Sequence, residues 1–95
     1  MASTKIVWSD EALAALDHIL EYVFEEWGIN PVLDLQDEIE RLIGAIRSNK
    51  RLCPDSKITG LRKCVLSRQT SLIYKTAKSH LEIVTLLDNR SDHSY

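Results

Sequence analysis

Two stretches of the chain repeat apolar residues at intervals of three and four, which is the period of an amphipathic helix. The apolar positions of the first stretch are Ala12, Leu13, Leu16, Ile19, Leu20, Val23, Phe24 and Trp27. Those of the second are Val32, Leu35, Ile39, Leu42, Ile43 and Ile46. Because only about three residues separate the two stretches, we expect the helices to form an antiparallel hairpin.

Capping residues mark the ends of both predicted helices. Ser9 is an N-cap candidate, because its hydroxyl can accept a hydrogen bond from an unpaired N–H of the first turn. Gly28 fits the position just past the first helix, where a left-handed backbone is common. Asn30 followed by Pro31 indicates the N-cap and first residue of the second helix, which we expect to end near Asn49.

The apolar period changes from helical to alternating after a loop at residues 52–60. Together with a short stretch at the start of the chain, this gives four predicted strands: Lys5–Trp8, Leu61–Arg68, Ser71–Ala77 and Leu81–Leu87. Short polar connectors join the last three strands, which are therefore expected to be antiparallel neighbours. The last strand is apolar on both faces, so it should be central or covered.

The element order β-α-α-β-β-β indicates an α+β fold, in which the helical hairpin packs on a small, mainly antiparallel sheet. Alternation along the second strand places Arg62, Cys64, Leu66 and Arg68 on one face and Lys63 on the other. The pattern leaves open which of the two faces meets the helices.

Length and composition indicate one globular domain over residues 1–95. With 44% hydrophobic and 27% charged residues, the chain resembles ordinary folded domains. No apolar run approaches the roughly 18 residues of a membrane span, and the first residues do not resemble an export signal, so we expect a cytoplasmic protein. In that compartment Cys53 and Cys64, which lack C-x-x-C spacing, are expected to stay reduced, with Cys64 buried as a small apolar side chain.

Charge is divided unevenly along the chain. Residues 1–46 carry ten acidic and two basic side chains, a net of −8, whereas residues 47–95 carry four acidic and ten basic ones, a net of +6. Acidic residues coating the solvent side of two helices would explain the first half. The concentration of basic residues in the second half indicates a surface that meets an anionic partner.

Three groups of residues, taken in order, resemble the toxins of the RelE/ParE family across nearly the whole chain. They are Ile6-Val7-Trp8-Ser9 with Ala12, Leu16, Ile19 and Tyr22; Gly60-Leu61-Arg62; and Leu72-Ile73-Tyr74-Lys75 with the stretch from Leu81 to Arg90. Each group alone is a weak signal, but their joint order on a matching pattern of helices and strands is fairly specific.

The resemblance implies the toxin of a prokaryotic type II toxin–antitoxin system, with a compact sheet, a helical hairpin and a cognate antitoxin that neutralises it. ParE-like members inhibit DNA gyrase, and RelE-like members cleave messenger RNA on the ribosome. We favour the ParE-like interpretation. A RelE-like endoribonuclease, or an inactivated toxin that only binds its antitoxin, remains an alternative. No cofactor and no membrane partner is expected.

For the ribonuclease alternative, the resemblance suggests a set of catalytic residues in the basic half. Arg62, Lys63 and Arg68 are candidates for stabilising the charge of a phosphoryl transition state. Ser71 stands where the family leads us to expect an arginine, and the lysine pair of RelE itself is not evident. Both departures count against RNA cleavage.

Further candidates follow the last strand. Arg90 matches an arginine of the family at this point, and His93 or Tyr95 falls where relatives carry a histidine or tyrosine with an acid–base role. A polar tail that merely frays is the simpler interpretation of the last residues.

Other residues that carry chemistry are interpreted as structural. His18 is expected at the surface or boundary of the first helix, and His80 in a hairpin turn. The spacing of histidines and cysteines does not match a metal site. Trp8, Phe24 and Trp27 fall on the buried periodicity and are expected in the core rather than on a base-stacking platform.

Overall fold

Four strands and two helices follow one another in the order β-α-α-β-β-β in a computed structural model, which describes residues 4–89 and residue 95. Their bounds are β1 Lys5–Trp8, α1 Asp10–Trp27, α2 Ile29–Ser48, β2 Arg62–Val65, β3 Thr70–Thr76 and β4 His80–Asp88. The predicted element order and the α+β class are confirmed. The strand predicted over Leu61–Arg68 is shorter, because the chain leaves the ladder after Val65 to form a turn.

The strands form one sheet in the order β1-β4-β3-β2. β4 therefore lies inside the sheet, as its apolar character on both faces predicts. It pairs antiparallel with β3, and β3 pairs antiparallel with β2. β1 pairs parallel with β4, with Ile6 opposite Leu81 and Trp8 opposite Ile83. The sheet is thus mainly antiparallel, as expected, with one parallel pair.

Ser9 connects the start of α1 to the centre of the sheet. Its Oγ accepts a hydrogen bond from the backbone N–H of Ala12 at 2.9 Å, which confirms the predicted N-cap. The same hydroxyl donates to the carbonyl oxygen of Val84 at 2.6 Å. Val84 lies at a bulge of β4, where the register passes from Ile83 opposite Tyr74 to Thr85 opposite Ile73. The bulge leaves the Val84 carbonyl available to hold the helix.

A single residue, Gly28, separates α1 from α2, where about three linking residues are expected from the sequence pattern. Its φ of 87° requires a residue without a side-chain clash, and its N–H caps α1 by donating to the Phe24 carbonyl at 2.9 Å. The prediction that Asn30 caps α2 is wrong, because α2 begins at Ile29. Pro31 still lies in the first helical turn, where a missing N–H costs no intrahelical hydrogen bond.

The core lies between the helices and one face of the sheet. α1 packs against β4. The buried cluster consists of Ala12, Ile46, Cys53, Cys64, Leu72, Tyr74, Leu81, Ile83 and Leu86. The face of β2 that carries Cys64 therefore meets the helices, which answers the question that alternation leaves open.

The aromatic residues of α1 depart from expectation at its far end. Trp8 packs against the core cluster, as predicted, but Phe24 and Trp27 are 55% and 54% exposed. The apolar stripe of α1 is wider than the surface that covers it, since the side with Ala12 and Ile19 faces the core. Trp27 instead makes an edge-to-face contact with Tyr22, with ring centroids 5.8 Å apart.

The two cysteines form a disulfide bond, so the expectation that both stay reduced is wrong. Cys53 and Cys64 are 11 residues apart in sequence, with Cα atoms 5.3 Å apart. They meet because the segment after α2 folds back along β2, with Asp55 bridged to Arg62. Cys64 is buried, as predicted.

We predict that Ser9→Ala lowers the free energy of unfolding by about 1–2 kcal/mol, because α1 loses its cap and the Val84 carbonyl loses its donor. Urea unfolding followed by circular dichroism measures the change. Ser48→Ala, at the exposed end of α2, is the matched control and should change stability by less than about 0.5 kcal/mol. Equal effects of the two substitutions would contradict the structural role of Ser9.

Candidate functional site

The residues predicted to form a catalytic set lie in three places. Arg62 begins β2, Arg68 lies in the turn between β2 and β3, and Tyr95 is the last residue of the chain. Arg90 and His93 fall outside the residues that the structure describes. Lys63, the further candidate for charge stabilisation, follows Arg62 in β2. The structure therefore describes four of the six candidates.

Arg62 is held by the protein itself. Its Nη1 donates to the carbonyl oxygen of Cys53 at 2.6 Å, and its Nη2 lies 3.4 Å from a carboxylate oxygen of Asp55. The Arg62 side chain is only 21% exposed, on the sheet face that also carries Cys64. In this arrangement the guanidinium binds the backbone of a neighbouring segment, which limits what it can offer to an external anion.

The segment that holds Arg62 runs from Cys53 to Leu61, and we call it the fold-back segment. The Cys53–Cys64 disulfide closes it, and the N–H of Lys63 donates to the Pro54 carbonyl at 3.1 Å. The N–H of Ser56 donates to the Leu61 carbonyl at 2.9 Å. Backbone pairing and a covalent bond thus fix the partners of the Arg62 guanidinium.

Arg68 lies at an exposed turn and not on the strand face that Arg62 occupies, which corrects the predicted sharing of a face. The N–H groups of Leu66 and Ser67 both donate to the Thr70 carbonyl, at 2.9 and 3.2 Å, and close the turn. The Ser67 hydroxyl accepts from the N–H groups of Gln69 and Thr70. The turn presents the Arg68 side chain to solvent.

Asn89 ties this turn to the end of β4. Its backbone N–H donates to the Gln69 carbonyl at 2.7 Å, and its Nδ2 donates to the carbonyl oxygens of Ser67 and Arg68 at 3.3 and 3.4 Å. Its Oδ1 accepts a 2.6 Å hydrogen bond from the hydroxyl of Ser71, which is fully buried. We call this network the Asn89 clamp.

The Asn89 clamp gives Ser71 a structural role at the position where the family resemblance leads us to expect an arginine. The network holds the Arg68 carbonyl against Asn89, which directly precedes Arg90 in the chain. Sequence reasoning missed it. An asparagine at a strand end and a serine within a strand carry no pattern that links them across 18 residues.

A cleft of about 300 Å³ lies beside the same turn, between α1 and the ends of β3 and β4. Its apolar floor is formed by Ile19 and Val23. Polar side chains surround the floor: His18, Tyr22, Gln69, Thr70 and Asp88. His18 is exposed on α1, as expected for a boundary residue. His80, predicted in a turn, is the first residue of β4 and pairs with Lys5.

A second cleft, of about 290 Å³, runs between β1 and the two helices, and we call it the hairpin groove. It is lined by Trp8, Leu16, Leu33, Gln36, Asp37, Ile39 and Glu40. Leu33 is half exposed, so the groove offers apolar surface beside two carboxylates. Its neighbour β1 is an edge strand in the described part of the sheet.

Two further basic residues, Lys75 in β3 and Lys50 just after α2, bind acceptors within the protein. The Lys75 ammonium lies 3.8 Å from a carboxylate oxygen of Glu82 on the neighbouring strand. The Lys50 ammonium donates to the Ala77 carbonyl at 3.4 Å. Internal contacts therefore use part of the positive charge that the sequence concentrates in residues 47–95.

Residues 4–89 and 95 contain no group of three or more histidine, cysteine, aspartate or glutamate side chains that could hold a metal ion. Neither described helix combines the length and the apolar character needed to cross a membrane.

The fold is shared with solved toxin structures. A chain of the chromosomal ParDE toxin–antitoxin system from P. aeruginosa superposes with a TM-score of 0.76 at 19% identity, over 90% of this chain and 96% of that one. The YoeB dimer from Staphylococcus aureus gives a TM-score of 0.66 at 18% identity, over 90% and 97%. In the E. coli DinJ–YafQ complex a chain gives 0.61 at 14%, over 92% and 94%. No protein-family model and no curated protein matches the sequence.

These likenesses define the class of fold. The chain adopts the α+β fold of RelE/ParE-type toxins, with two helices on a four-stranded mixed sheet, as the sequence resemblance predicts. At identities below 20% the shared property is the fold, and the activity has to be argued from the residues themselves.

We predict that Asn89→Ala lowers the free energy of unfolding by about 1–3 kcal/mol, because the buried Ser71 hydroxyl loses its acceptor and the turn loses its donors. Urea unfolding measures the loss, and hydrogen exchange should quicken at Leu66 and Gln69. Asn30→Ala, on the exposed side of α2, is the matched control. Unchanged exchange at the turn would contradict the clamp.

Proposed function

We propose that the chain is the toxin of a type II toxin–antitoxin system, that residues 1–95 form its single domain, and that it acts in the cytoplasm. A cognate antitoxin neutralises it. We further propose that it inhibits growth as a ParE-like inhibitor of DNA gyrase rather than as a ribonuclease.

The toxin assignment is supported by fold and sequence together. The chain covers nearly the full length of a ParDE chain and of a chain from a DinJ–YafQ toxin–antitoxin complex. Two residues of the groups that resemble the family have structural roles. Ser9 caps α1, and Tyr74 lies in the core.

The hairpin groove and the β1 edge support an antitoxin partner. A disordered segment that folds on binding can place apolar side chains in a groove between helices or add a strand to an exposed edge. Both sites lie on the same side of the fold, because Trp8 of β1 also lines the groove. One extended segment can therefore use both.

The state of Arg62 carries the choice of a gyrase inhibitor over a ribonuclease. Transition-state stabilisation requires donors aimed at the developing charge of the substrate, whereas the Arg62 guanidinium is aimed at the Cys53 carbonyl and Asp55. Ser71, at the position of an expected arginine, is buried in the Asn89 clamp. These two contacts favour a surface that binds a protein target over one that cleaves RNA.

The ribonuclease alternative rests on the chain end. Arg68 is exposed in a turn that Asn89 fixes next to the start of the segment carrying Arg90 and His93. The carbonyl of Tyr95 accepts a hydrogen bond from the N–H of Lys57 at 3.4 Å, within the fold-back segment that holds Arg62. If the chain is a nuclease, its proposed catalytic set is Arg62, Arg68, Arg90, His93 and Tyr95. A third possibility is an inactivated toxin that retains only antitoxin binding.

We predict that inducing the chain in bacteria without its antitoxin arrests growth, relaxes plasmid supercoiling and raises DNA-damage signalling, while messenger RNAs stay intact. Plasmid topology on chloroquine gels and primer extension on abundant transcripts measure the two targets in the same culture. Co-expression of a cognate antitoxin should restore growth. Cut transcripts with normal supercoiling would support the ribonuclease alternative, and normal growth would support the inactivated toxin.

We predict that Arg68→Ala leaves growth arrest largely intact, because a protein–protein surface does not depend on one transition-state contact. A catalytic Arg68 would instead lose roughly 10²–10³-fold of its activity on substitution. Arg47→Ala, an exposed arginine of α2, controls for the loss of one positive charge. The inducer concentration that halves the growth rate is the measurement. Loss of toxicity in Arg68→Ala alone would count against the gyrase proposal.

A further inference from the structure

The disulfide and the Arg62 site are physically the same unit. Cys53 supplies both the sulfur of the bond to Cys64 and the carbonyl oxygen that accepts the hydrogen bond from Arg62. Because the carbonyl and the disulfide sulfur belong to the same residue, the disulfide restrains the position of that carbonyl. Only 8% of Cys53 and 2% of Cys64 is exposed, which leaves Cys53 as the more accessible end of the bond.

Apart from the disulfide, hydrogen bonds hold the fold-back segment: the N–H of Lys63 donates to the Pro54 carbonyl, that of Ser56 to the Leu61 carbonyl and that of Lys57 to the Tyr95 carbonyl. Asp55 is 85% exposed, and an ion pair with such a carboxylate is strongly screened by water. Residues 57–60 are exposed as well, and the N–H of Leu61 closes their turn by donating to the Ile58 carbonyl at 3.1 Å. Segments of this kind open locally far more readily than core strands.

The disulfide is also chemically at odds with a cytoplasmic location. Thiol-reducing systems keep most cytosolic cysteines reduced, and the disulfides that do form there are usually transient or redox-sensing. A bond between two buried cysteines at the base of a weakly held segment fits that class.

We propose that the Cys53–Cys64 disulfide is a redox-controlled latch, which holds the Arg62 guanidinium against the fold-back segment when oxidised and releases it when reduced. A cellular dithiol attacks the Cys53 sulfur through its thiolate, forming a mixed disulfide and expelling the Cys64 thiolate, which takes up a proton. The second thiol of the reductant then displaces Cys53. Two electrons pass to the protein, which ends with two thiols, and the dithiol ends as a disulfide.

The latch makes Arg62 the residue whose surroundings change with redox state. With the bond broken, the Cys53 backbone is held by hydrogen bonds alone, from its N–H to the Tyr74 hydroxyl at 3.4 Å and from the Lys63 N–H to the Pro54 carbonyl at 3.1 Å. Hydrogen bonds of this kind open locally at far lower cost than a covalent bond breaks, so the contact between the Cys53 carbonyl and Arg62 is lost more often. The positive charge then becomes available to an anion. This inference concerns Arg62 and the fold-back segment, and its cellular use rests on the proposed cytoplasmic location. It also bears on the choice of target: in the reduced form, the burial of Ser71 in the Asn89 clamp is the contact that still favours a gyrase inhibitor.

Arginine-specific modification tests the latch directly. Purified protein, oxidised or reduced with dithiothreitol and desalted under nitrogen, is treated with phenylglyoxal, and the rate at each arginine is read by mass spectrometry. Arg62 should react roughly tenfold faster after reduction, because its modification requires opening that the disulfide restrains. Arg68, exposed in both forms, is the internal reference and should not change.

A double cysteine variant and a hydrogen-exchange measurement serve as controls. The double variant Cys53→Ala/Cys64→Ala should show fast modification of Arg62 under oxidising and reducing conditions alike. If that variant does not fold, hydrogen exchange of residues 54–61 in the oxidised and reduced wild-type protein gives the same comparison, with β3 and β4 as the unchanged reference. Equal Arg62 reactivity in the oxidised and reduced forms overturns the latch. So does the absence of the disulfide in oxidising glutathione buffer. Neither outcome depends on toxicity.

Discussion

The buried hydroxyl of Tyr74 is the contact on which the join between the helices and the sheet depends. Tyr74 is fully buried in β3, among the core residues, yet its phenol donates to the Lys50 carbonyl at 2.9 Å and accepts from the N–H of Cys53 at 3.4 Å. Both partners lie just after α2. A buried polar group without partners is costly, so the hydroxyl fixes where the chain must leave α2 and return to the sheet.

This fixed exit from α2 determines the arrangement around Arg62. Once the Cys53 backbone is bound to Tyr74, its side chain lies close enough to Cys64 for a disulfide, and its carbonyl faces the guanidinium of Arg62. At the opposite end of the sheet, the Asn89 clamp does the corresponding work for Arg68. The two arginines are thus set apart by two separate polar networks, although they belong to one short stretch of sequence.

Much of the fold could be predicted from the sequence because periodicity and capping are local. The helical stripes, the Ser9 cap and the interior position of the last strand need only neighbouring residues to be recognised. The one-residue turn at Gly28 and the exposure of Trp27 depend on how the elements pack against one another, which a periodic pattern does not record. The candidate functional site is harder to predict from the sequence than the fold. Its contacts link residues far apart in sequence, as Ser71 with Asn89, and many of the acceptors are backbone carbonyls that every residue carries.

The same contacts change the meaning of the uneven charge. A net of +6 in residues 47–95 suggests an anion-binding surface, but Arg62, Lys75 and Lys50 each bind an acceptor within the protein. These three long cationic side chains contact carbonyl groups and carboxylates near the edges of the sheet. Net charge therefore overstates the charge presented to a partner. The acidic helices face a different constraint, because the half-exposed Leu33 and the carboxylates of Asp37 and Glu40 border one groove. A partner with apolar side chains and a basic rim would bury that apolar surface and neutralise those carboxylates together.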